Sequence, residues 1–357
     1  MRLGILGVGL IGGSVGLAAR RRAGARVCGF DIDPRVREAA LEIGAIDTSS
    51  EDLAGAVEGA DVVFVAAPVG ALLESVRDAL AAAGPGCVVT DVGSTKRVLA
   101  GVEADQRFVG GHPLAGAETS GVEHAREDLF DGATWYLTPS GDTTGVLYER
   151  LHRLLTSIGA RPTAIDAETH DRLMACVSHL PHVLANLLVA QAGELLGGQE
   201  PERLPAVGPS FRDATRVAGA NSAVWTDIYM SNRDALLEGI DEFSRRLAVV
   251  REALVNGDAE AVTDWNDRAR ADRDALLGSG MAGGPLHELR VSVPNRPGVV
   301  AEIALALGRA GVNIADMALS PSEDNSQGVI SLWIRGDGPS ARAERLIAEL
   351  GHPVAPA

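Results

Sequence analysis

Two short segments of the sequence carry side chains that can hold or move a proton. The segment "FVGGHPLAGAETSG" (108–121) places one histidine, His112, between a glycine pair and a proline, and "DVGSTK" (91–96) contains Ser94. An imidazole can accept the proton of an alcohol while a hydride leaves the same carbon. A serine hydroxyl can hold that alcohol or the amide of a nicotinamide, and it equally suits the N-cap of a helix. Beside a bound hydride acceptor, the two segments would suit the oxidation of an alcohol, with His112 as the proton acceptor.

Lys96, in the second of these segments, is the only lysine of the chain, beside 31 arginines. A compact ammonium is not interchangeable with a guanidinium, so the position favours a substrate contact. The alternative is a lysine that persists by chance on a helix surface.

A glycine motif predicts a dinucleotide site at the start of the chain. Gly7, Gly9 and Gly12 follow a strand-like run and open a helix, and Asp31 stands nineteen residues later. The glycines allow a tight turn on which the pyrophosphate meets a helix N-terminus. The Asp31 carboxylate would bind the ribose hydroxyls and repel a 2′-phosphate, which favours NAD over NADP unless Arg35 or Arg37 softens the preference. The candidate cofactor residues are Gly7, Gly9, Leu10, Ile11, Gly12, Asp31, Ala67 and Pro68.

The proton-handling residues share one edge of the predicted sheet with this motif. Gly7, Asp31, Pro68, Ser94 and His112 each follow a successive strand-like run. Ligands of open α/β sheets bind in the crevice at the carboxyl ends of the strands. We therefore expect Ser94 and His112 to face the nicotinamide half of the site.

Two further motifs lie on helical stretches. "SHLPH" places His179 and His182 three residues apart, where they could contact a polar substrate, pack against another helix or, with no third ligand in view, bind a metal. "FRDATR" separates Arg212 and Arg216 by one helical turn, with Asp213 between them. Such a face can clamp a carboxylate or form surface ion pairs. We predict no metal site.

The periodicity of the chain predicts an α/β protein with three parts. Residues 1–166 alternate β-branched runs with amphipathic helices, which indicates a dinucleotide-binding Rossmann domain with a largely parallel sheet. Residues 167–278 are helical throughout, and their long apolar faces predict a homodimer. "GSGMAGGP" (278–285) is typical of a linker, which we place at residues 279–285. Residues 286–357 have the strand and helix order of a small βαββαβ domain.

Composition narrows the classes of partner. The formal net charge of −16 over 357 residues argues against nucleic acid. We expect no membrane partner, because no run of about 20 uncharged apolar residues appears. The first residues, "MRLGILGVG", are too glycine-rich to predict a secretory signal, and three scattered cysteines favour a reduced, cytoplasmic setting.

The motifs together resemble one enzyme family. "GVGLIGGS", "DVGSTK", "GGHPLAGAETSG", "VSHLPH" and "FRDATRVAGANSAVWTDIYMSN" occur in the order found in the prephenate dehydrogenase family, which includes arogenate and cyclohexadienyl dehydrogenases. The similarity extends to about residue 275. The resemblance implies oxidative decarboxylation of prephenate to 4-hydroxyphenylpyruvate, with NAD as the oxidant, in tyrosine biosynthesis.

The resemblance also assigns roles to individual residues. It implies that His112 and Ser94 contact the ring hydroxyl, and that Arg216, with Asp213 beside it, binds the ring carboxylate. It implies further substrate contacts for His179, His182, Trp225 and Glu118.

The C-terminal domain, with "VPNRPGVVAEIALALGRAGVNIADM", is similar to an ACT domain, a module that binds amino acids. The resemblance implies an effector, with tyrosine as the candidate, bound by two loops. The residues concerned are Asn295, Pro297, Gly298, Asn313 and Ile314. A module used only for dimer contacts is the alternative.

Two other functions remain open at this point. Arogenate differs from prephenate by an amino group in place of a keto group, and Glu118 is a candidate for binding that ammonium. A non-catalytic NAD-binding amino-acid sensor is a more distant alternative, against which His112 and Ser94 argue, because a sensor has no need of a proton acceptor.

Overall fold

A computed structural model describes residues 1–116, 119–196, 207–278, 284–322 and 326–356. The chain forms two compact units. The first contains Met1–Asp171, Asn221–Ser231 and Pro285–Ala357, and the second contains Arg172–Ala220 and Asn232–Gly284. The C-terminal module therefore belongs to the same compact unit as the N-terminal sheet.

An eight-stranded sheet forms the centre of the first unit, in the order β3-β2-β1-β4-β5-β6-β7-β8. Its strands are β1 (Arg2–Leu6), β2 (Arg26–Phe30), β3 (Thr48–Ser49), β4 (Val62–Val65), β5 (Val88–Asp91), β6 (Phe108–Pro113), β7 (Thr134–Thr138) and β8 (Arg161–Ala164). Neighbouring strands are parallel except β6 and β7, which are antiparallel. The apolar runs form these strands because both faces of the sheet are covered, so that every residue of β4 and β5 is buried.

Five helices accompany this sheet: α1 (Leu10–Ala23), α2 (Pro34–Glu42), α3 (Leu53–Val57), α4 (Val69–Ala82) and α5 (Gly145–Ser157). Strands β1 to β6 with their helices have the doubly wound arrangement that the alternating pattern predicts. The expected α/β fold class is confirmed.

The helical part of the chain contains α6 (Ala167–Met174), α7 (Leu180–Leu196), α8 (Pro209–Thr215), α9 (Ser222–Ser231), α10 (Arg233–Asn256) and α11 (Ala259–Gly278). One π-helical turn, Ala175–His179, joins α6 to α7. The continuous helix Ala167–Leu195 is long and apolar enough to cross a membrane by length and composition, and 33% of its most apolar window is buried. The expectation that the sequence holds no such run was therefore wrong. Core helices of soluble proteins also meet this criterion.

The C-terminal module has a four-stranded antiparallel sheet in the order β10-β11-β9-β12. Its elements are β9 (Leu286–Pro294), α12 (Val299–Arg309), β10 (Ile314–Pro321), β11 (Gln327–Arg335), α13 (Asp337–Glu349) and β12 (Val354–Pro356). This is the βαββαβ order that the sequence predicts. Most of the proposed linker, residues 279–283, lies outside the described residues.

The module packs on α5 and β8 of the larger sheet through a shared apolar core. Two glycines, one at the N-cap of α12 and one near its C-terminal end, allow this close approach. A Cβ on Gly298 would lie 2.0 Å from the carbonyl oxygen of Gly141, and a Cβ on Gly308 would lie 1.9 Å from that of Ala164. A side chain at either position would require the backbone to move.

Candidate active site

The glycine turn after β1 has the geometry of a dinucleotide cradle. Gly7 has φ +91°, and a Cβ there would lie 2.5 Å from the carbonyl oxygen of Ala66. A Cβ on Gly12 would lie 2.0 Å from the carbonyl oxygen of Gly7, whereas Gly9 has open space beside it. The N-terminus of α1, where Leu10 and Ile11 lie, has no side-chain cap and no acidic residue in its first turn. Its backbone N–H groups and positive dipole end therefore suit a pyrophosphate.

Asp31 lies at the end of β2, where it supports this turn. Its carboxylate accepts hydrogen bonds from the backbone N–H groups of Val8 (3.1 Å) and Asp33 (3.1 Å). Arg35 forms an ion pair with Asp33, and Arg37 donates to the backbone carbonyl of Asp31. Both arginines that could have favoured a 2′-phosphate are thus engaged by other groups. Ala67 and Pro68 lie at the start of α4, of which Pro68 is the cap residue.

His112 lies at the end of β6 and forms a hydrogen-bonded chain with two residues that the sequence analysis missed. Its Nδ1 is 2.9 Å from Nε2 of His170, and Nδ1 of His170 is 2.8 Å from Oδ1 of Asp171. His170 and Asp171 are completely buried. The adjacent His-Asp pair at the start of a helix was the available sequence signal, and no local pattern connects it with β6.

The chain of hydrogen bonds determines which nitrogen of each ring carries the proton. The Asp171 carboxylate can only accept, so His170 Nδ1–H donates to it. In the neutral ring, His170 Nε2 is then an acceptor, to which His112 Nδ1–H donates. Nε2 of His112 is left as the basic nitrogen, the tautomer that a proton acceptor needs.

Burial and neighbouring charges keep this arrangement in place. Burial lowers the pKa of His170 and the nearby Lys96 lowers it further, while Asp171 acts in the opposite direction. Burial opposes ionisation of Asp171, but hydrogen bonds from His170 and from the backbone of Arg97 and Lys96 outweigh it and lower the pKa of this carboxyl group. Asp171 therefore stays ionised and His170 stays neutral near neutral pH.

Lys96 supports the strand that carries His112. Its ammonium is buried, forms an ion pair with Asp91 and donates to the carbonyl oxygen of Gly111 (2.7 Å). Asp91 in turn accepts from the N–H groups of Gly111 (2.9 Å) and Gly93 (2.8 Å). Burial lowers the pKa of Lys96, against the effect of Asp91. The structure corrects the expected substrate contact of Lys96, because its ammonium is directed into the protein.

Ser94 lies half-buried on the bend after β5, next to the strand that carries His112. Its neighbour Thr95 donates to the Ser231 hydroxyl (3.1 Å) at the end of α9. The same helix carries Trp225, which is half-buried with its ring 5.6 Å from that of Tyr229. The Ser94 loop and the Trp225 helix are thus joined within the first unit. Glu118 lies outside the described residues.

The second unit holds the other proposed substrate residues. His179 and His182 are both buried, with Nδ1 3.2 Å from the amide nitrogen of Asn232 and 3.1 Å from that of Asn186, respectively. Burial lowers the pKa of His182, and the backbone of Val217 opposes this shift. Val217 directly follows Arg216, so His182 lies beside the "FRDATR" segment.

Asp213 lies on α8, and Arg216 is its C-terminal cap residue; both side chains are exposed. Among the described residues, no group of three or more His, Cys, Asp or Glu side chains is placed to hold a metal.

The proposed effector residues divide into two groups. Asn295 and Pro297 line a cavity of about 380 Å³, and Gly298 directly follows them. Asn313 instead accepts a hydrogen bond from the Thr163 hydroxyl (3.3 Å) of β8, and Ile314 is buried in β10. Asn313 and Ile314 do not line this cavity, and their effector roles stay predictions.

Sequence models of known families match three segments of the chain. Residues 15–164 match the nucleotide-binding domain of prephenate dehydrogenase, residues 166–266 match its dimerization domain, and residues 287–341 match the ACT domain. Prephenate dehydrogenase of Bacillus subtilis (strain 168) is 34% identical over 353 residues, which cover 96% of this chain and 94% of that protein.

Solved structures give the same picture. Prephenate dehydrogenase from A. aeolicus, in complex with hydroxyphenyl propionate and NAD⁺, is 29% identical to this chain and has a TM-score of 0.69. The match covers 77% of this chain and 98% of that protein's chain. Synechocystis arogenate dehydrogenase is 28% identical to this chain and has a TM-score of 0.68. The match covers 77% of this chain and 100% of that protein's chain.

Proposed function

Because the chain belongs to the prephenate dehydrogenase family, as the resemblance of its motifs indicates and the family matches confirm, we propose that it converts prephenate to 4-hydroxyphenylpyruvate with reduction of NAD. It is an NAD-dependent oxidoreductase with a Rossmann domain and an ACT domain. The observation that carries the proposal is the His112–His170–Asp171 chain, which leaves a basic nitrogen at the carboxyl end of β6.

The reaction needs one base and a well-oriented ring. Bound NAD supplies the hydride acceptor. As the C–H bond of the carbinol carbon breaks, Nε2 of His112 takes the hydroxyl proton and a carbonyl group forms. The bond between the ring and its carboxylate then breaks and carbon dioxide leaves. The electron pair of that bond makes the ring aromatic and leaves the former carbonyl oxygen as a phenolate, which takes a proton back from His112 to give the phenol. The main task of the protein is to hold the ring in this orientation.

His170 and Asp171 prepare His112 for this step. They hold the imidazole in the tautomer that exposes Nε2 and stabilise the positive charge that forms when it accepts the proton. Because the pair is buried and already hydrogen-bonded, it needs little reorganisation during the reaction. A non-catalytic sensor would have no use for this arrangement.

We assign the remaining substrate contacts from the resemblance. Ser94 would share the ring hydroxyl with His112, and Arg216, oriented by Asp213, would bind the ring carboxylate. This carboxylate leaves as carbon dioxide, so Arg216 should orient it without stabilising it excessively. His179 and His182 are buried and form hydrogen bonds with Asn232 and Asn186, respectively. These contacts support a role for both histidines in forming the wall of the substrate pocket. Trp225 and Glu118 are the other proposed contacts.

We also propose that the enzyme is a cytoplasmic homodimer regulated by an aromatic amino acid, with tyrosine as the first candidate. The match of residues 166–266 to a dimerization domain supports the dimer, and the match of residues 287–341 to an ACT domain supports the regulation.

Arogenate is the second candidate substrate. This candidate is favoured by the similarity of the chain to Synechocystis arogenate dehydrogenase, with a TM-score of 0.68. Arogenate has the same ring and differs only in its side chain, so the same base would serve both substrates.

The test is the formation of NADH or NADPH by the purified protein with each combination of prephenate or arogenate and NAD or NADP. We expect prephenate with NAD to give the highest kcat/KM. A higher value with arogenate would replace the proposed substrate, and no reduction in any combination would refute the proposed activity.

A further inference from the structure

Tyr136 lies on β7, directly opposite His112 in the antiparallel pairing of β7 with β6. Its neighbours Trp135 and Leu137 are buried in the apolar core, whereas Tyr136 is half-buried. Successive side chains of a strand point to opposite faces, and directly opposed residues of antiparallel strands share a face. Tyr136 and His112 therefore lie on the same face of the sheet, opposite to Trp135 and Leu137.

The rings of both residues pack against His170. The centroid of the His170 ring is 5.1 Å from that of His112 and 5.7 Å from that of Tyr136, and the ring planes meet at 72° and 83°. These are the distances and angles of edge-to-face aromatic pairs, which are favourable beyond the area that they bury. On the basis of the proposed function, we infer that Tyr136 is a positioning residue of the dehydrogenase reaction, whose ring holds His170 in the orientation in which Nε2 accepts the hydrogen bond from His112.

Hydrogen bonds alone do not fix the His170 ring. They hold it at Nδ1, 2.8 Å from Oδ1 of Asp171, and at Nε2, 2.9 Å from Nδ1 of His112. The ring can still tilt about the line that joins its two nitrogens, and a hydrogen bond weakens steeply as its angle falls. An aromatic ring packed at nearly a right angle restricts this tilt. Without it, the neutral His112 could carry its proton on Nε2, where the proton would block the base.

Tyr136 also covers His170. The imidazole is fully buried, whereas the phenol ring packed against it is partly exposed. Burial is the largest cause of the lowered pKa of His170, ahead of the hydrogen bond to Asp171. Removal of the phenol ring should therefore raise this pKa. A protonated His170 cannot accept at Nε2, so the base would lose its required tautomer at a higher pH.

Charged or titratable groups face His170 from four elements. They are Asp171 on α6, Asp91 at the end of β5, Lys96 and Arg97 after it, His112 on β6 and Tyr136 on β7. Asp171 and Asp91 raise the pKa of His170, whereas Lys96 lowers it. Burial raises the pKa of Tyr136, so its phenol stays neutral. Replacing Tyr136 therefore alters the cover of His170 and leaves these charges in place.

Tyr136→Leu removes the flat ring and keeps an apolar side chain on the strand. We expect kcat with prephenate and NAD to fall about tenfold while KM for prephenate changes less than about twofold, because the base loses its tautomer but the substrate keeps its contacts. The acid limb of kcat/KM, which belongs to the coupled His112–His170 pair, should move to higher pH by about half a unit or more. Tyr136→Met, whose flexible thioether fills the space without a flat face, should have the same effects.

Two further variants separate positioning from a general loss of stability. Phe64→Leu removes a ring that packs edge-to-face on Trp135, with centroids 6.1 Å apart and planes at 69°. It should lower the unfolding temperature, as Tyr136→Leu does, and leave the acid limb at the wild-type pH. Tyr136→Phe keeps the ring and should restore most of the kcat that Tyr136→Leu loses.

A measurement without substrate tests the tautomer itself. NMR of the protein with ¹⁵N-labelled histidine rings distinguishes protonated from unprotonated nitrogens, and His112→Asn identifies the His112 signals among the eight histidines. The wild type should show an unprotonated Nε2 in His112 at neutral pH, and Tyr136→Leu should show a mixture of both tautomers.

Failure of the enzyme activity is distinct from failure of the positioning role. A wild type that reduces no cofactor, but in which Tyr136→Leu still changes the His112 tautomer, would refute the activity and support the role of Tyr136. An active enzyme whose Tyr136→Leu variant keeps the wild-type acid limb and tautomer would refute the role. An equal shift of the acid limb in Phe64→Leu, or an equal loss of kcat in Tyr136→Phe, would also overturn it.

Discussion

The proposed function of His112 depends on the hydrogen bonds that link its imidazole to His170 and Asp171. Its partner His170 can accept only at Nε2 because Asp171 holds the proton on the other nitrogen. Nε2 of His112 is then the ring nitrogen without a hydrogen, as a base requires. At the residue scale, the family motif identifies the base, and the buried pair explains why it is in the required tautomer.

Replacing His112 by Asn tests this assignment. We expect kcat to fall by about 10²- to 10⁴-fold, because the amide cannot accept the proton, while affinity for NAD is nearly unchanged. Steady-state NADH formation and a fluorescence titration with NAD measure the two quantities. His124→Asn, at an exposed histidine next to Glu123, is the control and should behave like the wild type. Wild-type turnover in the His112 variant would contradict the assignment.

Arg216 offers a second test with a control on the same helix face. Arg216→Ala should raise KM for prephenate by about tenfold or more, because it would remove the proposed charge-assisted hydrogen bond to the substrate carboxylate. Arg212→Ala, one helical turn earlier and also exposed, should change KM by less than about twofold. An unaltered KM in the Arg216 variant, or equal effects of both substitutions, would count against the proposed contact.

At the scale of elements, the packing of α5 against β10 attaches the C-terminal module to the larger sheet. His152 lies on α5, buried near the Ile314 backbone and Asp316 of β10. Burial lowers its pKa from 6.5 to about 4, and both neighbours oppose this shift only in part. The neutral imidazole is therefore the form that the packed interface accepts.

This burial makes stability depend on pH in a defined direction. The unfolded state binds a proton at His152 below pH 6.5, whereas the folded state does so only near pH 4. The contribution of His152 to stability is thus complete above pH 6.5 and is lost as the pH falls towards 4. Between pH values of about 7.5 and 5 the loss should be about 2 kcal/mol.

His152→Leu should remove this part of the pH dependence, because leucine fills the site without titrating. Between pH values of about 7.5 and 5, the free energy of unfolding in urea should fall by about 2 kcal/mol more for the wild type than for the variant. His124→Leu, at an exposed histidine, should show no such gain. A difference between His152→Leu and the wild type that is the same at both pH values would show that His152 is not the titrating group.

At the scale of the whole molecule, the second unit exposes many large apolar side chains. Those on α7 and α10 include Leu187, Leu188, Leu247, Val249, Leu254 and Val255, each at least 42% exposed. Surface apolar area of this extent is typical of an interface rather than of a monomer surface. A second copy of the chain is the proposed partner, since the same segment matches a dimerization domain.

Light scattering after size exclusion should therefore give twice the chain mass of 37.0 kDa. Substituting Leu187 and Leu247 together by Arg should give the monomer mass, because two charges would be buried without partners. Leu41→Arg, at an exposed leucine of the first unit, should remain a dimer. A monomeric wild type, or a double variant that keeps the doubled mass, would contradict the proposed interface.

Local sequence patterns determined the dinucleotide turn, the fold class and the placement of Ser94 and His112 at adjacent strand ends. They did so because glycine geometry and strand periodicity depend on residues close together in the chain. Only the tertiary structure brought His170 and Asp171 to His112, across 58 residues and past the antiparallel strand β7. It also directed Lys96 inward and joined the C-terminal module to α5 and β8. Such contacts depend on which distant surfaces pack together, and side-chain periodicity does not specify that choice.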